Sequence, residues 1–351
     1  MPVCAMGRDG RGTGARAMDM VGVGLMELVL HLGAHCSGHL GFQKFLAANT
    51  AALSQEGIAT ALPPQTKGGM LAGLMVAQGH ETPLTDHAAH RSAGLMRLHL
   101  ADLTRQDMQL LLLSEPGLLG NVVLNLTSGQ LYPDAPWRLA RMRNTFERRV
   151  TRICLTIRSY ECWWAQQLAA GMFQGRALPT EAQLDRLVTQ PRRWRHLAQE
   201  LRDAFPAAEI LILPHEALSD QHPRMLALLT GAILADPVTD FTTPADIAGG
   251  LAQLVADRDE DPGRYAGQLH KGGTWMPFPD FHREVLQDAY REDLTWLRGQ
   301  ADNNITLIEN TGAHPGQEDE RGHNDGFKEE RAAARNMGDP GRERTAGASA
   351  R

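Results

Sequence analysis

Residues 28–43, LVLHLGAHCSGHLGFQ, join an apolar run, a glycine-bracketed loop and the start of a helical stretch. Gly33 and Gly38 have the spacing of the glycines in GxxxxGK[ST], where backbone N–H groups and the positive end of the following helix cradle a phosphate. The chemistry on offer is anion binding by the backbone of Gly33, Ala34, His35, Cys36, Ser37, Gly38, His39 and Leu40. His39 and Leu40 stand where an ATP-binding loop has its lysine and its Mg²⁺-binding hydroxyl, which ranks ATPase or nucleotide kinase chemistry low. An ordinary strand-to-helix connection also favours glycine, so spacing alone leaves that reading open.

Other residue types add to the loop. Glu115 directly follows an apolar run and is the candidate general base, with capping or salt bridging of the next loop as the structural reading. Ser114 at the same place is a candidate contact for nucleotide or substrate. Arg158 closes RICLTIRSY and has the planar fork that suits a phosphate, or alternatively a helix-end salt bridge. His39, and secondarily His35, would gain charge beside a bound phosphate and act as donor or acid. Trp163 and Trp164, like Tyr290, Asp293 and Trp296, read as packed helix faces rather than ligand platforms. The chain holds 14 histidines, but it has no HExxH, and His31, His35 and His39 fall in a strand and loop; no metal site is expected.

These residues need elements to hold them. Leu28–Leu32, Met108–Leu113, Arg152–Ile157 and Glu209–Leu213 are continuous apolar runs, as strands buried on both faces should be. Helical stretches are expected over Leu40–Gln55, Ala88–Leu103, Ala135–Arg148, Tyr160–Met172, Arg192–Ala204, His222–Leu234 and Asp280–Leu297. The alternation implies an α/β fold, a three-layer domain over residues 27–310 with a mainly parallel central sheet and helices on both faces. Ligands of such sheets bind beyond the carboxyl ends of the strands, so His35–His39, Ser114–Gly120 and Arg158–Tyr160 should converge. Residues 1–26 and 311–351 are polar and glycine-rich and are expected to be disordered.

Composition narrows the partners. The 351 residues are 42% hydrophobic, enough for a substantial core, and the formal net charge of −6 argues against nucleic acid or an anionic membrane surface. The apolar run at Val21–Leu32 contains Glu27 and leads into the glycine loop, which speaks against a signal peptide, and no other stretch has the length of a membrane span. Cys4, Cys36, Cys154 and Cys162 form no CxxC pair, which fits a reducing cytoplasm. Oligomeric state is not legible.

HLGAHCSGHLGFQKFLAANTAALSQEGI (31–58) resembles the amino-terminal segment of bacterial sulfotransferase-like proteins. LLLSEPGLLG (111–120), LYPDAPWRLARM (131–142), ICLTIRSYECWWA (153–165) and PFPDFHREVLQDAYREDLTWL (277–297) extend the resemblance in order. It implies a P-loop-type fold that binds 3′-phosphoadenosine 5′-phosphosulfate as donor without a metal, and moves its sulfuryl group to a hydroxyl or amine of a small molecule or saccharide. It also implies that the loop holds the phosphosulfate, with Arg158 on the 3′-phosphate and Gln166 where the family has a serine. The family's loop lysine aligns with Cys36, and its two hydroxyl residues with His39 and Leu40. Losing such a donor costs roughly 3–4 kcal/mol of transition-state stabilisation. The alternative is therefore a catalytically degenerate relative that keeps the fold and binds a nucleotide, a sulfated ligand or a protein partner.

Overall fold

The structure is a computed structural model that describes residues 26–146, 149–218, 221–239, 251, 254, 257–258 and 275–309. The expected disordered ends lie outside the described residues, apart from Met26, which is buried. Along the chain run β1 (Glu27–His31), α1 (His39–Ala48), α2 (Thr50–Gln55), β2 (Ile58–Ala61), α3 (Pro83–Arg105), β3 (Leu110–Ser114), α4 (Val122–Ser128) and α5 (Ala135–Phe146). Then follow β4 (Val150–Ile157), α6 (Tyr160–Phe173), α7 (Glu181–Thr189), α8 (Trp194–Ala204), β5 (Glu209–Pro214), α9 (His215–Leu218), α10 (His222–Thr230), α11 (Asp280–Arg298) and β6 (Ile305–Leu307).

The strands form one six-stranded sheet in the order β2-β3-β1-β4-β5-β6, with every pair parallel. Side chains alternate across it: Leu28, Leu30, Leu111, Leu113, Ile153 and Leu155 pack with α3, α5, α6, α8 and α11. Val29, Leu112, Cys154 and Leu211 pack with α1, α2 and α10 on the other face. This is the expected α/β architecture, and the apolar runs are continuous because both faces are covered.

Some boundaries differ from those expected, for identifiable reasons. The stretch 40–55 is two helices because buried Asn49 turns its side chain on the backbone, its amide donating to the carbonyls of Phe45 at 2.8 Å and Val238 at 3.0 Å. α10 stops at Thr230, where Gly231 takes a left-handed C-cap at φ 76°. The edge strands β2 and β6 were not expected; they are short and only partly buried. α4 and α7 were not expected either, although Asn121 and Thr180 cap them by accepting from Leu124 and Gln183 N–H groups.

α3 lies against a tight turn at Ala72–Leu74. A Cβ on Gly73 would sit 2.2 Å from the Ala88 carbonyl, whereas one on Gly94, farther along the same helix, would meet nothing within 4 Å. Gly73→Ala should therefore destabilise by about 3 kcal/mol, and Gly94→Ala should stabilise by about 1 kcal/mol, as read by urea unfolding. Equal effects would contradict this packing.

Candidate functional site

The loops after β1, β3 and β4 meet because all strands point the same way. Glu115 N–H donates to the His31 carbonyl at 3.1 Å, and Ala34 N–H to the Thr156 carbonyl at 3.0 Å. Between them the chain turns from β1 into α1 through positive φ at Gly33 (26°), Cys36 (62°) and Gly38 (76°). Only Cys36 carries a side chain there, and that side chain is driven inward, packing on Val122 and Ala170 with Sγ 3.5 Å from the Gln167 amide.

The loop is braced by groups from several elements. Arg158, buried at the end of β4, donates from Nη1 to the Cys36 carbonyl at 3.1 Å, and Trp163 Nε1 donates to the His35 carbonyl at 2.9 Å. Tyr132 places its hydroxyl 2.7 Å from the His35 N–H and 2.8 Å from His35 Nδ1. Arg158 is itself fixed by α8, since Trp194 Nε1 donates to its carbonyl. Gln166 is buried on α6, and its neighbour Gln167 places its amide 3.4 Å from the His35 carbonyl.

α1 begins without a side-chain cap and with no acidic residue in its first turn. Around it, His31 Nε2, Ser37 Oγ and His39 Nδ1 are buried with no hydrogen-bond partner among the described residues. Buried polar atoms are almost always paired, so these three, in the segment that leads into a helix without a side-chain cap, are exceptions. Leu40 occupies the first turn of α1.

Burial favours the neutral form of His31, His35 and His39. Burial, and then the charges of His39 and His222, hold His31 at about 3, while its Nδ1 pairs with Ser114 Oγ at 2.8 Å. Burial and then Lys67 hold His39 at about 4, against a backbone hydrogen bond at Ala34 that raises it. His35 is also pushed well down by burial, with His39, Lys67 and Arg138 adding to it. An incoming anion would instead favour the charged imidazolium.

Glu115 is fully buried. Its carboxylate accepts from Thr66 Oγ1 at 2.5 Å and Gly117 N–H at 2.9 Å, with Lys67 Nζ at 3.9 Å. Burial raises its pKa, and Lys67, Thr66 and Gly117 pull it back. Ser114 is held between His31 and Gln43, whose amide donates to its hydroxyl at 3.0 Å. Trp163, Trp164 and Asp293 are buried, and Asp293 accepts from Tyr160 at 2.5 Å and pairs with Arg195.

Sequence reading missed Tyr132, Lys67, Thr66 and Gln167. Tyr132 lies in the LYPDAPW stretch and Lys67 in TKGG, a basic residue beside paired glycines, but only the sheet topology brings either to the loop. Among the described residues no group of His, Cys, Asp and Glu could hold a metal ion, and no helix is long and apolar enough to cross a membrane. No protein-family model, curated protein or solved structure matches the chain.

The depressed histidines give a sign to the pH dependence. A histidine whose folded pKa lies below its unfolded value of about 6.5 contributes stability above pH 6.5 that is lost as pH falls through the folded value, at about 1.4 kcal/mol per pH unit. Glu115 and Glu161, raised by burial, act in the opposite sense above pH 4.5. The readout is therefore a difference: between about pH 6 and pH 4.5, urea unfolding should lose about 1.4 kcal/mol per pH unit more in the native protein than in His39→Gln. Parallel profiles would contradict a neutral buried His39.

Proposed function

We propose that the loop between β1 and α1 binds the phosphate or phosphosulfate of an adenine nucleotide in a P-loop-like manner, and that the protein is sulfotransferase-like. The observation that carries this reading is the uncapped α1 N-terminus, with buried His31 Nε2, Ser37 Oγ and His39 Nδ1 lacking partners in the segment that leads into it and Arg158 bonded to the Cys36 carbonyl. The motif resemblance of 31–58 and 153–165 supplies the ligand class, 3′-phosphoadenosine 5′-phosphosulfate, with a hydroxyl or amine of a small molecule or saccharide as acceptor.

In this reading the reaction is an in-line displacement. The acceptor oxygen forms a bond to sulfur as the bond from sulfur to the 5′-phosphate oxygen breaks. The acceptor proton passes to Glu115, and the charge left on the departing bisphosphate faces the α1 N-terminus and His39. Such transfer asks the protein for positioning and charge stabilisation more than for covalent chemistry. Glu115 suits the base role in having a raised pKa, but with 0% exposure it would have to be uncovered at Thr66 or Gly117 before an acceptor could reach it.

A second reading, binding without transfer, is favoured by one specific feature. At the position aligned with the family's loop lysine, Cys36 points into the protein rather than toward a ligand.

Titration with 3′-phosphoadenosine 5′-phosphate should raise thermal stability, by about 2.7 kcal/mol at 100 times the dissociation constant. Arg158→Lys should weaken that binding by about tenfold or more, since a lysine cannot reproduce the fork that reaches the loop. No stabilisation at millimolar nucleotide would sink the nucleotide reading. Retention of full affinity in Arg158→Lys would remove Arg158 from the site.

A further inference from the structure

Lys67 sits on a five-residue turn, Thr66–Met70, between β2 and α3, and is followed by Gly68 and Gly69. Its side chain is 50% exposed, and its Nζ is 3.9 Å from Glu115 Oε1, at the long end of an ion pair. Its stem passes over Gly117, where a Cβ would lie 3.7 Å from Lys67 Cε. Glu115 is in turn tied by its N–H to the His31 carbonyl, one residue before the loop. Lys67 is thus a half-exposed cation on a long stem beside Glu115, the residue whose N–H is bonded to the strand that enters the loop from which the motif's own lysine is missing. Arg138 is less suited to that task, being 1% exposed and committed to the Gly117 carbonyl at 3.2 Å.

We propose that Lys67 supplies, from outside the loop, the cation that the loop itself lacks, swinging from Glu115 onto the anion bound at the N-terminus of α1. The charge of Lys67 already acts on both His35 and His39, so the ammonium and the loop share one electrostatic neighbourhood. The glycines that follow it leave room for the move, since a Cβ on Gly68 or Gly69 would meet nothing within 4 Å. The exchange also strips Glu115 of a counter-charge at the moment an anion arrives, raising its affinity for a proton. This inference rests on the loop being an anion site, as in the preceding reading, but not on the anion being a nucleotide.

The test compares native protein, Lys67→Met, Lys67→Arg and, as a charge control, Arg105→Ala at the opposite end of α3. Each is titrated calorimetrically with 3′-phosphoadenosine 5′-phosphate and with inorganic pyrophosphate. Lys67→Met should weaken both ligands by about 10- to 100-fold, the worth of a charge-assisted hydrogen bond, while Lys67→Arg stays within a few-fold of native and Arg105→Ala is unchanged. Circular dichroism and urea unfolding check that Lys67→Met is folded; if it is not, Lys67→Gln takes its place. Equal affinities in native and Lys67→Met protein would overturn the role of Lys67 and leave the nucleotide reading standing. Lys67-dependent binding of pyrophosphate, with the nucleotide no tighter, would keep Lys67 and overturn the nucleotide reading. No binding of either ligand to native protein at millimolar concentration would overturn both.

Discussion

The parallel pairing of β1 with β3 on one side and β4 on the other is the constraint on which the site depends. Parallel strands leave the sheet at the same edge, so the segments that follow them must share the space above it. Here that space receives the β1–α1 loop, Glu115 and Arg158. The crowding is met by hydrogen bonds to the loop's own backbone: Thr156, Tyr132, Trp163 and Arg158 each take or give one. These braces leave His31 Nε2, Ser37 Oγ and His39 Nδ1 buried without partners among the described residues.

Charge is the second constraint. The loop carries no lysine or arginine, and its histidines are neutral because burial makes an imidazolium costly. An anion arriving there would meet N–H dipoles first, then imidazoles whose protonation its own charge favours. Affinity would then be coupled to proton uptake, which distinguishes such a site from a lysine-bearing loop whose charge is permanent.

The parts of this arrangement visible in the sequence are those with a local cause. The strands before His31, Ser114 and Arg158 announce themselves as unbroken apolar runs, and Gly33 and Gly38 mark the turn. The orientation of Cys36 is not local. It follows from a positive φ and from Val122 and Ala170, more than 80 residues away in the chain. Lys67 and Thr66 were illegible because the turn between β2 and α3 has no periodicity, and its position over Glu115 exists only once β2 is paired to β3. β2 itself, four residues of IATA, is too short and too small in its side chains to be read as a strand.

The central claim, that the β1–α1 loop is the anion site, is tested most directly by amide hydrogen exchange with and without 3′-phosphoadenosine 5′-phosphate. The account predicts slowed exchange confined to the segment from Gly33 to Phe42 and to the turn around Lys67, with the far ends of the strands unchanged. Exchange in the loop that is indifferent to saturating nucleotide, or protection that appears only elsewhere in the chain, would contradict it.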